Sequence, residues 1–368
     1  MKIICEQSVL MSGINVVLKA VPSKTTMEIL DCIKIKVYNG KISLIGNDMS
    51  LGIETVVKGD ISKEGTIVVN AKTFSDIIRN LPDEEVVLDA DDLTMNIICG
   101  KIRFDIPIRN ASDYPELPTI NKDKSAVMSQ LTLKNIIRQT VFSISADNET
   151  MKIMTGELLE IKGKRLRLVA LDGHRISLRN VDLNEEYGDV KVIVPGKTLN
   201  ELVKILSSEL EDKVTIYFSD NHVMFEMKDT IVISRLIEGE YYLVDRMLSG
   251  DYETKVSVNK KRMSECIERA SLLIKENDKK PLIFNYMEDR VDVRIRTQVG
   301  YYEDLIDIEK TGNDIIIAFS PKFLLDALKV IDDEEIDIYM MNVKSPCIIK
   351  DSDETYMYLI LPVNFNMD

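Results

Sequence analysis

Asp172, His174 and Arg175 lie within four consecutive positions, an acid, an imidazole and a guanidinium close enough to suggest general acid–base catalysis. The rest of the sequence does not complete an enzyme. It holds no nucleophile motif, no glycine-rich phosphate loop and no spaced set of metal ligands. His174 and His222 are the only histidines, so no catalytic, metal or cofactor site is expected, and Asp172-Gly173 reads equally well as a turn. A different chemistry is carried by lysine. Lys72, Lys197 and Lys322 stand 125 residues apart, each inside the same twelve-residue pattern: Asn70–Leu81, Pro195–Leu206 and Ser320–Ile331. Without gaps, the acids Asp76, Glu201 and Asp326 also coincide, as do the bases Arg79, Lys204 and Lys329. Cations repeated in register are suited to gripping the phosphates of a polyanion.

Each pattern predicts a helix. Phe74, Ile77, Ile78 and Leu81 recur at i, i+3, i+4 and i+7, as do Leu199, Leu202, Val203 and Leu206, and Leu324, Ala327, Leu328 and Ile331. Lys72, Asp76 and Arg79 take the opposite face, where Lys72 and Asp76 have the i,i+4 spacing of an ion pair. Three further amphipathic helices are expected over about 6–20, 131–144 and 259–275. The six together carry fourteen Lys and Arg against six Asp and Glu, a net +8 in a chain whose formal net charge is −14, so strands and loops hold −22. One such helix would be ordinary solvated surface; six sharing the bias form a candidate basic track. An acidic protein repels nucleic acid unless its charge is segregated in this way. No ladder of aromatic residues accompanies the bases, which favours duplex DNA held by its backbone over a stacked single strand.

An interval of this length is a whole domain, since solenoid repeats run roughly 20 to 50 residues. Each interval has one order of elements: a helix, short strands, the motif helix, then more strands. Alternation marks strands at Ile33–Val37, Arg165–Val169 and Arg290–Ile295. Asn39-Gly40 predicts a two-residue hairpin, with Lys162-Gly163-Lys164 and Glu288-Asp289 at comparable places. Connectors are expected at 113–124 and around Ser249-Gly250-Asp251. The fold class is therefore α+β, with three similar domains, 1–124, 125–250 and 251–368, each packing two helices on antiparallel sheets. Hydrophobic content of 45% allows a core in each. The charged start Met1–Glu6 does not suit a signal peptide, and no apolar run nears the roughly 18 residues of a membrane span. Cys5, Cys32, Cys99, Cys266 and Cys347 are scattered and odd in number, as expected of reduced, mostly buried thiols in a cytoplasmic protein.

Ala170-Leu-Asp-Gly-His-Arg-Ile176, followed by Val192-Ile-Val-Pro-Gly-Lys197, resembles the bacterial sliding clamp family, the beta subunit of DNA polymerase III. Gly46-Asn-Asp48, Ser234-Arg-Leu-Ile-Glu-Gly239, Arg269-Ala-Ser-Leu-Leu273 and Tyr358-Leu-Ile-Leu-Pro-Val363 agree, and the resemblance spans the chain. It implies the DNA clamp fold, a head-to-tail homodimer ring around double-stranded DNA, and no catalytic activity. Such a ring is a processivity factor that tethers replicative polymerase and is opened by an ATP-driven clamp loader. It works in the cytoplasm on the nucleoid, with no membrane partner. On this likeness the DNA contacts are Lys24, Lys72, Arg79, Lys134, Arg138, Lys197, Lys204, Lys322 and Lys329. A pocket for short linear peptides of polymerase, loader and repair proteins is implied between the second and third domains. Its second-domain side maps to Met151, Met154, Leu171, Gly173, His174, Arg175 and Ile176. The third-domain side maps to Tyr242, Arg246, Met247, Lys344, Pro346, Leu359, Leu361, Pro362 and Val363. An apolar rim with adaptable methionines suits peptide anchors. The dimer interface maps to Phe104 and Ile106 against Leu272 and Leu273.

The sequence departs from the family at several places. Met151 stands where arginine is usual, Tyr242-Leu-Val244 where Pro-Asp-Tyr is usual, and Glu28 in place of a common proline. The ending Asn364–Asp368 lacks the usual basic residue and final leucine, so peptide preference is expected to shift. The alternative reading is a three-domain scaffold that binds peptides without encircling DNA.

Overall fold

The computed structural model describes residues 1–146, 151–248, 251–275, 278 and 280–365. Connector residues Ser249 and Gly250 and tail residues Asn366, Met367 and Asp368 lie outside the described residues. Among the described residues the α-helices are α1 (Gln7–Val17), α2 (Ala71–Arg79), α3 (Gln130–Arg138), α4 (Gly196–Val203), α5 (Asp245–Leu248), α6 (Lys260–Ser271) and α7 (Pro321–Leu328). All six expected helices form, with shorter ends. α1 tightens into a 3₁₀ turn at Leu18–Ala20, and the expected 131–144 helix breaks after Arg138 before a 3₁₀ turn at Val141–Ser143. There the Thr140 hydroxyl donates to the Ile136 carbonyl at 2.7 Å, taking an acceptor the helix would otherwise continue through. The short α5 falls in a stretch read from sequence as connector.

Local chemistry starts each element where it begins. The Asn70 side chain accepts from the Thr73 amide at 2.9 Å and Asn259 from the Arg262 amide at 3.1 Å, capping α2 and α6. α7 instead opens with Pro321, whose missing N–H costs nothing at a helix start. Asn39 and Gly40 take φ of 50° and 71°, the left-handed pair that reverses Cys32–Tyr38 into Lys41–Asn47. Glu160 and Arg167 form an ion pair, although a straight strand would separate them by about 23 Å. The run Gly156–Leu171 therefore doubles back at Lys162-Gly163-Lys164, where Gly163 has φ 57°, as the hairpin signal predicted.

Contacts divide the chain into two units, Met1–Thr132 with Glu201–Leu236, and Leu133–Asn200 with Ile237–Asp368. This division follows sheet continuity, not the sequence interval. In the first unit a thirteen-stranded sheet runs unbroken because Leu51–Val57 pairs antiparallel with Thr230–Arg235. The two strands are also tied by Thr55 and Thr230 hydroxyls 2.7 Å apart. In the second unit Arg175 pairs with Ile360 and Ile176 with Leu359, carrying a seven-stranded sheet across the corresponding junction. A four-stranded sheet, Tyr301–Asp307, Arg290–Arg296, Leu282–Tyr286 and Ile315–Phe319, completes that unit.

Helices lie against these sheets. In the first unit α1 packs on α2 and on the strands Lys41–Asn47 and Leu51–Val57. Phe74 and Ile78 of α2 are fully buried with Leu10, Ile14 and Val17 of α1. In the second unit α6 and α7 pair, and Met263, Ile267, Leu324 and Leu328 enter one core with Phe284, Val291, Phe319 and Tyr358. All five cysteines are buried and unpaired, and burial raises the thiols of Cys5 and Cys266 to about 11.

Candidate functional site

The expected apolar stripes of the motif helices are buried: Phe74 and Ile78, Leu199 and Leu202, and Leu324, Ala327 and Leu328, with Leu81, Leu206 and Ile331 buried just beyond the helix ends. Their charged faces are exposed at Lys72 and Arg79, Lys197 and Lys204, and Lys322 and Lys329. Arg138 is also exposed, Lys134 is half-buried on α3, and Lys24 is exposed in a loop, not on a helix. One pairing differs from the sequence reading. Asp76 binds Arg79 at 3.2 Å, not Lys72, and Glu201 likewise binds Lys204 at 2.8 Å, both at i,i+3. These ion pairs are exposed and contribute only about 0–1 kcal/mol each, so they hold the bases in place without neutralising the helix face.

The implied pocket residues separate into two adjoining patches in the second unit. Met154, Leu171, Ile176 and Leu359 are buried together with Tyr241, Val244 and Leu248. Over them Met151 and Tyr242 are exposed, with the Tyr242 hydroxyl 3.7 Å from the Met151 sulfur, and Met247 and Arg246 are exposed nearby in α5. Lys344 is exposed and Pro346 half-buried in the turn leading to Cys347–Lys350, which places Ile348 opposite Leu359.

The second patch begins at the turn Asp172–Arg175. Gly173 has φ 86°, and the Asp172 carboxylate accepts from the His174 amide at 3.0 Å and the Arg175 amide at 3.2 Å. Asp172 also accepts from Arg175 Nε at 3.0 Å, so its carboxylate is committed to shaping the turn and not to proton transfer. The Leu361 amide donates to the His174 carbonyl at 2.9 Å, and the Val363 amide to the Ala318 carbonyl at 2.8 Å. Those bonds fix the tail as one wall of a cavity of about 740 Å³, lined by His174, Leu361, Pro362 and Val363. The facing wall, Ile274, Phe323 and Leu325, is absent from the sequence-derived set. A signal for it existed. At the positions of Phe323 and Leu325 the other motif copies carry Thr73 and Ser75, and Thr198 and Asn200. Two apolar residues outside the buried stripe mark the third helix as facing something more than solvent.

The implied interface residues are placed unequally. Phe104 is 41% exposed and Leu272 82% exposed, whereas Ile106 is buried in its own core and Leu273 packs partly against the second unit's core. Ile106 is therefore a core residue of this chain and Phe104 the exposed one. Along Ile102–Arg109, residues 102–107 pair on one side with Thr94–Cys99, while only Ile108 and Arg109 reach Val69 and Val68. Tyr301–Asp307 is an edge strand of its sheet. Glu28, one of the departures, forms a surface ion pair with Arg109 at 3.2 Å. Among the described residues no three His, Cys, Asp or Glu side chains are grouped to hold a metal, and no helix is long and apolar enough to cross a membrane.

Repeated helix-on-sheet modules, joined through continuous sheets and bearing exposed bases on their motif helices, define a three-domain DNA clamp fold. Comparison with known proteins gives the same class. Residues 1–118, 127–242 and 245–364 match the N-terminal, central and C-terminal domains of the DNA polymerase III beta subunit. A beta sliding clamp of Bacillus subtilis is 34% identical over 99% of both chains. The crystal structure of a putative DNA polymerase III beta subunit from Eubacterium rectale superposes with TM-score 0.96 at 49% identity, covering 100% of each chain. That of the Bacillus subtilis sliding clamp superposes with TM-score 0.94 at 33% identity, again over 100% of each. The chain belongs to the DNA polymerase III beta subunit family, the sliding clamps of DNA replication, which are processivity factors and not enzymes.

Proposed function

We propose that two copies of this chain close head to tail into a ring that encircles duplex DNA and slides along it. Three domains per chain, 1–124, 125–250 and 251–368, supply a pseudo-sixfold wall. The carrying observation is the threefold recurrence of exposed bases, Lys72 with Arg79, Lys197 with Lys204, and Lys322 with Lys329, each opposite a buried stripe. Together with Lys24, Lys134 and Arg138 they meet backbone phosphates without reading sequence. The ring closes where Phe104 on the open edge 102–107 meets Leu272 and Leu273 beside the edge strand Tyr301–Asp307 of the partner. Exposed edges and large apolar side chains of this kind are covered in stable proteins.

Replicative polymerase, clamp loader and repair proteins dock by short peptides. Their anchors enter the Met151–Tyr242–Met247 patch and the cavity between Leu361–Val363 and Phe323. Work on DNA places the protein in the cytoplasm, at the nucleoid. Analytical ultracentrifugation tests ring assembly: the reading requires two chains of 41.9 kDa per particle, and a particle of one chain at micromolar concentration overturns it.

A further inference from the structure

Three aligned acids allow a comparison inside one molecule. In the first two copies the acid serves its own helix, Asp76 binding Arg79 and Glu201 binding Lys204. In the third, Asp326 Oδ2 accepts from Arg175 Nη1 at 2.7 Å, and no ion pair joins Asp326 to Lys329. The residue has exchanged a local partner for one 151 positions away.

Arg175 is only 6% exposed, and every side of its guanidinium is engaged. Nε donates to Asp172 at 3.0 Å, Nη2 to the Phe142 carbonyl at 2.7 Å and Nη1 to Asp326. Its Cζ lies 4.5 Å from the ring centre of Phe323 and 5.3 Å from that of Phe142. The His174 ring stacks on the same Phe323 ring, with centroids 6.0 Å apart. A buried guanidinium needs paired acceptors to stay in place, and a planar fork held at three points fixes the ring beside it. Phe323 and His174 both line the cavity.

We propose that Asp326 is a positioning residue for the peptide cavity, its carboxylate holding Arg175 so that Phe323 and His174 form a preorganised wall. The inference rests on the peptide-binding reading of that cavity and adds to it a residue outside the set implied by family likeness. Lys322 and Lys329 line the same cavity as Asp326 and Phe323, so the exposed side of this helix is shared between the cavity and the proposed DNA track. Loss of the carboxylate leaves Nη1 without its acceptor and Arg175 with Asp172 as its remaining carboxylate, and the wall loosens before any ligand arrives.

The test is peptide affinity by fluorescence anisotropy on the full-length protein, using a labelled clamp-binding peptide from the cognate replicative polymerase. Asp326→Ala is expected to weaken binding about tenfold, Asp326→Asn less because an acceptor oxygen remains, and Arg175→Lys about tenfold. The double variant Asp326→Ala with Arg175→Lys is expected to be no weaker than Arg175→Lys alone, because both act through one guanidinium. Asp76→Ala, the equivalent change in the first copy, is expected to stay within about twofold of wild type. Melting temperature and particle mass are read in parallel, and Asp326→Asn decides the matter if Asp326→Ala misfolds. Wild-type affinity in a folded Asp326 variant, or additive losses in the double variant, overturns the proposal. Failure of the wild-type protein to bind the peptide overturns the cavity reading itself, a separate result.

Discussion

Replacing Glu157 by glutamine should make the protein more stable, and increasingly so as pH rises. Glu157 is completely buried, and neither carboxylate oxygen has a hydrogen-bond partner. The Thr140 hydroxyl beside it is spent on the Ile136 carbonyl at 2.7 Å, and the Tyr241 hydroxyl on the Gly156 carbonyl at 3.4 Å. Burial pushes the carboxyl from 4.5 up to about 8, and the neighbouring Thr140 hydroxyl, already donating to Ile136, opposes the rise only in smaller measure. Because the folded value is raised, the folded chain holds a proton that the unfolded chain releases between pH 4.5 and about 8. Stability from this group is full below pH 4.5 and falls as pH climbs through that window, at about 1.36 kcal/mol per pH unit. The accumulated loss at pH 8 is on the order of a few kcal/mol, with about 5 kcal/mol as its ceiling. Glutamine keeps the shape and cannot ionise, so this component of the pH dependence disappears. Thermal unfolding of both proteins at pH 6, 7 and 8 measures it. The gap in Tm should widen in favour of Glu157→Gln with each step, by roughly 2 °C per kcal/mol. Parallel Tm curves, with a gap independent of pH, would refute the account of an ionisable group stranded without partners.

Other consequences concern the surface. Truncation after Ile360 removes the Leu361 and Val363 backbone anchors and one cavity wall, and should abolish binding of a polymerase peptide in a calorimetric titration while leaving a two-chain particle. Leu272→Asp places a charge on a side chain 82% exposed, so it should leave the melting temperature nearly unchanged yet shift sedimentation toward single chains. Reversing Lys197 and Lys204 to glutamate should weaken retention on DNA most at low ionic strength, converging with wild type as salt rises; equal loss at all salt concentrations would point to misfolding.

The helices were readable because their apolar spacing is strict. Phe74, Ile78 and Leu81 could be assigned to a buried face from sequence, since that depends on neighbours within two turns. Asn39-Gly40 was likewise readable, its left-handed pair being a local property. What depends on distant partners was hidden. Ile106 and Phe104 sit two residues apart on one strand, and only the packed sheet shows which is core and which is exposed. The acid at Asp326 looks like its counterparts Asp76 and Glu201 until the fold brings Arg175 within 2.7 Å. Likewise the cavity wall at Phe323 and Leu325 rests on residues whose only sequence mark is a break from the polar identities of the other two copies.

Retention on closed circular duplex DNA, before and after linearisation with a single-cutting nuclease, tests the encircling ring most directly. After loading, the protein should co-elute with the intact circle at moderate salt and run off once the ends are free. Equal retention on both forms, or on neither, would contradict topological linkage and favour a scaffold that meets its partners without enclosing DNA.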